Sequence, residues 1–133
     1  MALTHMHSAS VFVRDQDAAL DFYTNKLGFE VRRNDPMGPD SRWIEVAPPG
    51  AQSAVLLYKP TSEMPGASTY EHAQASIGTF NPILFRCDDV QRTYQELSAR
   101  GVRFPTPPEQ QPWGWWAVFE DQDGNSFGLN QAS

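Results

Sequence analysis

The sequence contains the same order of predicted elements twice, and this internal repeat restricts the fold more than any other feature. Each half predicts a strand, a helix and then three further strands. An aspartate precedes each helix and a glycine ends it: Asp15 and Gly28 in the first half, Asp89 and Gly101 in the second. The duplication predicts an α+β fold made of two βαβββ modules.

Alternating apolar and polar residues and turn-forming residues define the first half. Strands are predicted over residues 8–13, 29–33, 43–47 and 54–58. Ala19, Phe22 and Tyr23 belong to an apolar stripe at three- and four-residue spacing, which predicts the helix. The turn-rich runs 34–40 and 48–50 separate the last three strands.

The second half repeats this order after a polar connection. Strands are predicted over residues 83–87, 102–104, 115–120 and 126–130. Val90, Tyr94 and Leu97 form the helical stripe. A proline-rich loop is predicted over residues 105–112, and residues 121–125 carry a strong signal for a tight turn.

The length of the chain, 133 residues with 40% hydrophobic composition, is sufficient for one core and too short for two independent ones. We therefore predict a single domain over residues 1–133. Module one occupies about residues 4–60, a connection with a weak helical stretch at 70–75 follows over about 61–79, and module two occupies about 80–131. A four-stranded curved sheet from each module, placed edge to edge, would create a concave cleft suited to a ligand.

Charge and targeting signals indicate which kinds of partner and which cellular location to expect. The net charge is −6 and no cluster of Lys or Arg occurs, which argues against nucleic acid or an anionic membrane as a partner. No secretion signal or long apolar run is present, and we expect a cytoplasmic protein. Cys87 is the only cysteine and excludes an intramolecular disulfide, and we predict an inert, buried thiol there.

Several motifs resemble the vicinal oxygen chelate superfamily, which includes glyoxalase I, the extradiol dioxygenases, fosfomycin-resistance enzymes and bleomycin-resistance proteins. They are Val11-Phe12-Val13-Arg14-Asp15, Phe22-Tyr23, Leu27-Gly28-Phe29-Glu30, Asp88-Asp89-Val90, Ala99-Arg100-Gly101-Val102 and Asp121-Gln122-Asp123-Gly124-Asn125. The resemblance covers essentially the whole chain. It implies the glyoxalase/bleomycin-resistance/dioxygenase fold, but not one function, because this scaffold hosts isomerases, dioxygenases, transferases and binding proteins.

The enzymes of that superfamily hold a divalent ion with His, Gln or Glu at four positions, and the resemblance assigns these positions to Ser8, Leu56, Pro82 and Gly128. Proline, leucine and glycine side chains have no donor atom, and serine is a poor ligand. We therefore expect no metal and no other cofactor.

Three histidines and two carboxylates lie near these positions. His7 is one residue from the first ligand position, and strand alternation predicts that His7 points to the opposite face. His5 is expected at the edge and His72 in the connection. Glu45 and Glu120 are the best remaining carboxylates, but without a histidine they would form only a weak site for a hard cation.

Alternation and the family register together predict the lining of the concave face. The residues are Ser8, Ser10, Phe12, Trp43, Glu45, Leu56, Tyr58, Leu84, Arg86, Trp116, Val118, Glu120, Gly128 and Asn130. Aromatic walls with few polar groups are typical of a pocket for an organic ligand, although Trp43 and Trp116 alternatively fill space that a metal occupies in relatives. Trp113 is predicted to belong to a lid, a packed strand start or a dimer contact. Arg86 is expected to form a salt bridge with Glu45 or Glu120, or to hold an anionic ligand group.

The leading hypothesis is a metal-independent protein that binds a small aromatic or amphipathic ligand as a homodimer. The alternative is an enzyme of the superfamily, acting as a lyase, isomerase or dioxygenase. It would be either metal-dependent through displaced ligands, or metal-free with Glu45 or Glu120 as base and Arg86 stabilising an oxyanion. A third hypothesis is a module that recognises another protein.

Overall fold

A computed structural model describes residues 2–62 and 67–132 of the chain. The strands are β1 Ser8–Phe12, β2 Glu30–Pro36, β3 Arg42–Ala47, β4 Ala54–Tyr58, β5 Phe80–Arg86, β6 Arg103–Gln111, β7 Gly114–Glu120 and β8 Ser126–Ala132. The α-helices are α1 Gln16–Asp21, α2 Ala67–Ser76 and α3 Val90–Ala99, and a π-helical segment, Phe22–Lys26, continues α1. None of the helices in these ranges is long and apolar enough to cross a membrane.

The chain divides into two compact units, residues 1–77 and 78–133, and each contains one four-stranded sheet. The strand order is β1-β4-β3-β2 in the first sheet and β5-β8-β7-β6 in the second. In each, the first and last strands of the module are parallel neighbours, and the other pairs are antiparallel. The predicted α+β fold of two βαβββ modules is therefore confirmed, and α2 belongs to the connection between them.

In the first unit, α1 begins at the predicted aspartate, because the Asp15 carboxylate accepts hydrogen bonds from the backbone amides of Asp17 and Ala18. The segment ends at Gly28, whose φ of 76° is a left-handed conformation that favours glycine. Val11, Val13 and other alternate residues of the strands are buried towards this helical segment. Their burial leaves the remaining strand residues for the opposite face of the sheet.

Gln16, the first residue of α1, attaches the helix to the sheet. Its side-chain amide donates to the carbonyl oxygens of Arg42 at 2.7 Å and Leu57 at 2.9 Å, and its oxygen accepts from the Arg42 amide at 2.9 Å. The residue is buried, so these bonds satisfy polar groups that would otherwise lack partners. They hold β3 and β4 in place beneath the helix.

In the second unit, α3 covers an aromatic core on one face of the sheet. Asp89 caps the helix by accepting from the Arg92 amide, as the sequence predicts. The core rings are in contact at centroid distances of 4.8–6.0 Å and belong to Phe85, Tyr94, Phe104, Phe119 and Phe127. Because Phe85, Phe119 and Phe127 face α3, their strand neighbours face the other side.

Several predicted strand boundaries are wrong. β5 begins at Phe80 instead of residue 83, and β8 ends at Ala132 instead of residue 130. The loop predicted over residues 105–112 belongs to β6, which runs from Arg103 to Gln111 instead of ending at 104. Since β6 is an edge strand that pairs only with β7, its prolines interrupt one ladder rather than two, a position where proline is tolerated. Similarly, β2 extends to Pro36, three residues into the predicted turn.

The predicted connection over residues 61–79 lies partly outside the described residues, which omit 63–66. Within it, α2 covers Ala67–Ser76, where the sequence indicates only a weak helical stretch over 70–75. Ala73 and Ile77 are buried, so packing stabilises this helix more than its weak pattern predicts.

Candidate functional site

Each sheet has one face turned away from its helix, and we call these the open face of the first sheet and the open face of the second sheet. Because Val11 in β1 and Val13 just after it are buried on the helix side, alternation gives the first open face Ser8, Ser10, Phe12, Trp43, Glu45, Leu56 and Tyr58. The second open face carries Leu84, Arg86, Trp116, Val118, Glu120, Gly128 and Asn130. These are the side chains that the sequence assigns to the concave surface.

A row of four paired residues crosses the first open face. The register pairs Ser10 with Leu56, Leu56 with Glu45, and Glu45 with Arg33. Leu56 and Glu45 are buried, whereas Ser10 and Arg33 are exposed. Arg33 is not among the residues predicted for the concave face, because local patterns do not show which residues of β3 pair with β2.

Glu45 holds the most unusual position on this face, because its acidic side chain is only 3% exposed. The indole nitrogen of Trp43 donates to Glu45 Oε2 at 2.6 Å, and His7 Nε2 lies 3.1 Å from Oε1. Nearby, the rings of Phe12 and Tyr58 meet edge to face at 6.0 Å. The open face therefore combines an aromatic surface with one buried acidic group.

The prediction for His7 is wrong, since its side chain bonds to a carboxylate on the open face instead of pointing away from it. His7 precedes β1, and the alternation of the strand does not extend to it. The pair joins residues 38 positions apart, and no local pattern could indicate it. His5 is an edge residue whose ring lies 6.2 Å from that of His7, and His72 is exposed on α2.

On the second open face, the Trp116 ring lies directly over Gly128. A Cβ atom added at Gly128 would be 2.5 Å from Trp116 Cζ3, which is closer than real contacts allow, and 3.1 Å from Leu84 Cδ1, which is a tight contact. Gly128 is buried, and Leu84 is 55% exposed beside it. Only glycine leaves room for this arrangement of the indole.

Arg86 bonds to an amide on this face. Its Nε donates to Asn130 Oδ1 at 3.1 Å, and the Asn130 amide donates to the Trp115 carbonyl oxygen at 3.2 Å. Glu120 instead lies 3.7 Å from Arg103. Among the ion pairs of the described residues of this unit, none joins Arg86 to Glu120, so the expected bridge between them does not form.

Trp113 occupies the tip of the hairpin between β6 and β7, where the chain turns after Gln111. Its side chain is 56% exposed, and its ring contacts that of Trp116 at a centroid distance of 6.1 Å. Trp113 therefore extends the aromatic surface of the second open face to its edge.

Cys87 follows β5 and is partly buried. Burial raises the pKa of its thiol above the ordinary value, and the carboxylates of Asp88 and Asp89 add to this, while a bond from Thr93 opposes it. A raised pKa favours the neutral thiol at physiological pH, which is the less reactive form.

The four positions that the resemblance assigns to metal ligands do not fit a divalent ion. Ser8, Leu56, Pro82 and Gly128 together offer a single hydroxyl group as donor. At Gly128 the Trp116 ring also fills the space that a longer side chain would need. Across residues 2–62 and 67–132, no three His, Cys, Asp or Glu side chains lie close enough to hold a metal together.

The first unit also contains a polar cavity, which is not predicted from the sequence. It has a volume of about 550 Å³ and lies between the β2–β3 turn, the start of α1 and the end of β4. Charged residues line it, among them Arg14, Asp40, Arg42 and Lys59, and Arg42 forms an ion pair with Asp17. These residues come from three separate segments of the chain, and no single motif indicates the cavity.

Paired βαβββ modules with open sheet faces define a class of scaffold that hosts both enzymes and binding proteins. Residues 5–129 match the family described as the Glyoxalase/Bleomycin resistance protein/Dioxygenase superfamily, and the chain belongs to that family.

Relatives of similar length support this assignment. YetH, an uncharacterized protein of Bacillus subtilis (strain 168), is 39% identical over 93% of this chain and 95% of its own. A superfamily member from Sphaerobacter thermophilus is 39% identical, with a TM-score of 0.86 over 98% of this chain and 99% of its own. TnmS3, described as an antibiotic binding protein from Streptomyces sp. CB03234, is 38% identical, with a TM-score of 0.79 over 100% of this chain and 99% of its own.

Proposed function

We propose that this protein binds a small aromatic or amphipathic organic molecule at its open sheet faces, without the help of a metal ion. The proposal assigns ligand contact to the residues of both open faces and to Trp113 at the rim of the second. It assigns no catalytic role to any residue.

The observation that carries the proposal is the position of the Trp116 ring over Gly128. In enzymes of this superfamily a side chain at that position of the last strand holds the ion. Here an indole occupies the same volume, which replaces a polar group with apolar surface. A flat aromatic ring beside Leu84 offers contact area to an organic ligand and nothing to a cation in need of oxygen or nitrogen ligands.

The relatives support the same class of function. TnmS3 is described as an antibiotic binding protein, and it shares fold and 38% of its sequence with this chain. Three tryptophans, Trp43, Trp113 and Trp116, on or next to the open faces give this chain the aromatic surface that binding an extended organic ring system requires.

We also propose that the protein acts as a homodimer. Phe80 and Pro82 are exposed near the start of β5, which is an edge strand of the second sheet. A second copy would cover this apolar strip, and proteins commonly protect exposed sheet edges in such ways. Sedimentation equilibrium should give twice the mass of one chain; the mass of a single chain at micromolar concentration would contradict the proposal.

Titration of the purified protein with a panel of planar aromatic compounds tests the binding function. We expect at least one compound to quench tryptophan fluorescence saturably, and we expect Trp116→Phe to reduce that quenching. Trp115→Phe is the matched control, because alternation places Trp115 on the opposite side of β7. A panel without any saturable binder would refute the proposal.

Elemental analysis of the same preparation tests metal independence. We expect far less than one equivalent of zinc, nickel, manganese or iron per chain, and unchanged ligand affinity after treatment with a chelator. A stoichiometric ion whose removal abolishes binding would overturn this part of the proposal.

A metal-free enzyme is the second candidate, and the pairing of His7 with Glu45 is the observation that favours it. The two candidates differ in the fate of the bound compound. Mass spectrometry after long incubation should recover it chemically unchanged if the protein only binds, whereas conversion that Glu45→Gln abolishes would establish the enzyme.

A further inference from the structure

The buried carboxylate of Glu45 is costly to keep on an otherwise aromatic and apolar face. Its side chain is 3% exposed and stands between Leu56 on β4 and Arg33 on β2. Removing a carboxylate from water is unfavourable unless hydrogen bonds and a positive charge compensate for the lost hydration. The group that supplies the compensating positive charge to Glu45 therefore indicates what this face binds.

Neither Trp43 nor Arg33 supplies a strong, permanent positive charge to Glu45. The Trp43 indole donates to Oε2 at 2.6 Å but is neutral at all relevant pH values. The Arg33 guanidinium donates two bonds to Asp35 Oδ2, at 2.9 and 3.0 Å, and this carboxylate neutralises it. Oε1 is bonded to His7, which is charged only when protonated.

His7 is easily displaced from Glu45. Its side chain is 62% exposed, and it belongs to residues 2–7, which precede β1, have no regular secondary structure and are exposed throughout. Rotation of this imidazole into water sacrifices one hydrogen bond and little buried area. Glu45 Oε1 would then accept a bond from another donor, while Trp43 continues to hold Oε2.

The aromatic neighbours of Glu45 are suited to the rest of such a ligand. Arg33 Cζ lies 5.9 Å from the centre of the Trp43 ring, so this indole can lie against a cationic group even though Asp35 balances the charge of this arginine. Phe12 and Tyr58 continue the aromatic surface along the same face. Hence a ring system carrying an ammonium group satisfies both parts of the site.

We infer that Glu45 anchors a positively charged nitrogen of the ligand in the place of His7, so that the ligand is an aromatic organic cation. The inference rests on the proposed function and names its ligand class. The protein's net charge of −6 favours the approach of such a molecule.

Two probes of the same shape test this inference: aminomethylanthracene, whose amine is protonated at neutral pH, and hydroxymethylanthracene, which is neutral. Fluorescence anisotropy of the anthracene ring measures the affinity of each for the intact protein. We expect the amine to bind about tenfold more tightly than the alcohol, because a charge-assisted hydrogen bond is stronger than a neutral one.

Variants of the anchor sharpen the test. Glu45→Gln should bring the amine to the affinity of the alcohol, while Glu96→Gln, on α3 and outside both open faces, should leave the tenfold preference intact. His7→Ala should raise the affinity for the amine by about threefold, because it removes the competing donor, and should leave the alcohol unchanged. Unchanged affinity for the alcohol also serves as the check that each variant is folded.

The outcomes separate this inference from the proposed function. If both probes bind the unaltered protein equally well, the inference is overturned and the binding function stands. If neither probe nor any compound of the aromatic panel binds, both are overturned. If Glu45→Gln does not fold, the preference of the unaltered protein and the effect of His7→Ala decide the question.

Discussion

Trp43 and Trp116 occupy equivalent positions in the two sheets, but their rings have different surroundings. The register aligns the row Ser10, Leu56, Glu45 and Arg33 of the first open face with the row Leu84, Gly128, Val118 and Thr106 of the second. In each module the tryptophan lies two residues before the third member of the row. Trp43 donates to Glu45, whereas Trp116, which has Val118 in place of that carboxylate, lies over Gly128.

The residues at the second and third positions of each row give the neighbouring tryptophan either a polar or an apolar environment. A carboxylate at the third position of the row attracts the indole N–H, and a leucine at the second fills the sheet surface. Valine and glycine at the same positions remove the acceptor and provide a flat space that the ring covers. We expect the first open face to recognise charge and the second to provide contact area.

The largest expected effect concerns the second member of each row. Leu56→Ala should lower the free energy of unfolding by about 3 kcal/mol, because Leu56 is 4% exposed and its truncation leaves a cavity. Leu84→Ala is the control, since that leucine is 55% exposed and should cost less than about 1 kcal/mol. Urea unfolding measures both, and equal losses would contradict the assigned burial.

The next prediction concerns the contact of Trp116 with Gly128. Gly128→Ala should cost about 1–2 kcal/mol, because the added methyl group overlaps the indole and forces the ring to move. In a Trp116→Ala background the same change should cost far less, and a double-mutant cycle measures the difference. Additive effects of the two substitutions would show that the ring does not lie over the glycine.

A smaller effect on stability is expected at the hydrogen bond from the Trp43 indole to Glu45. Glu45→Gln should cost about 1 kcal/mol, because a neutral amide accepts the indole N–H less strongly than a carboxylate does. Glu120→Gln should cost less than about 0.5 kcal/mol, since its carboxylate lies 3.7 Å from the largely exposed Arg103. Thermal unfolding of the two variants tests this, and a greater loss at Glu120 would reverse the comparison.

The smallest effect on stability is expected at Cys87, a thiol at the position where the first module has Val13. Cys87 stands two residues before Asp89, as Val13 stands two residues before Asp15, so Cys87→Val should change stability by less than about 1 kcal/mol. Because burial raises the pKa of Cys87, its thiolate fraction, and with it the rate of alkylation, should stay below that of free cysteine between neutral pH and its raised pKa. Alkylation followed by mass spectrometry measures this rate, and labelling as fast as that of free cysteine would contradict the prediction.

Local patterns predicted the elements that depend on local physics. Both helix starts at Asp15 and Asp89, both glycine stops and the repeated order of strands are confirmed, because capping and alternation act within a few residues. The extent of β6 was not predictable in the same way. Its prolines indicate a loop unless the strand is known to lie at a sheet edge, which is a property of the whole sheet.

Capping residues, alternation and the repeated order of strands suffice to predict the duplicated α+β fold, the family and the residue types available on the open faces. How these residues combine follows only from the folded sheets: one oxygen of Glu45 meets His7 from 38 positions away, and Trp116 covers a glycine on the neighbouring strand. Such contacts escape local patterns because strand pairing joins distant segments, and a register becomes defined only when whole sheets bury their apolar faces.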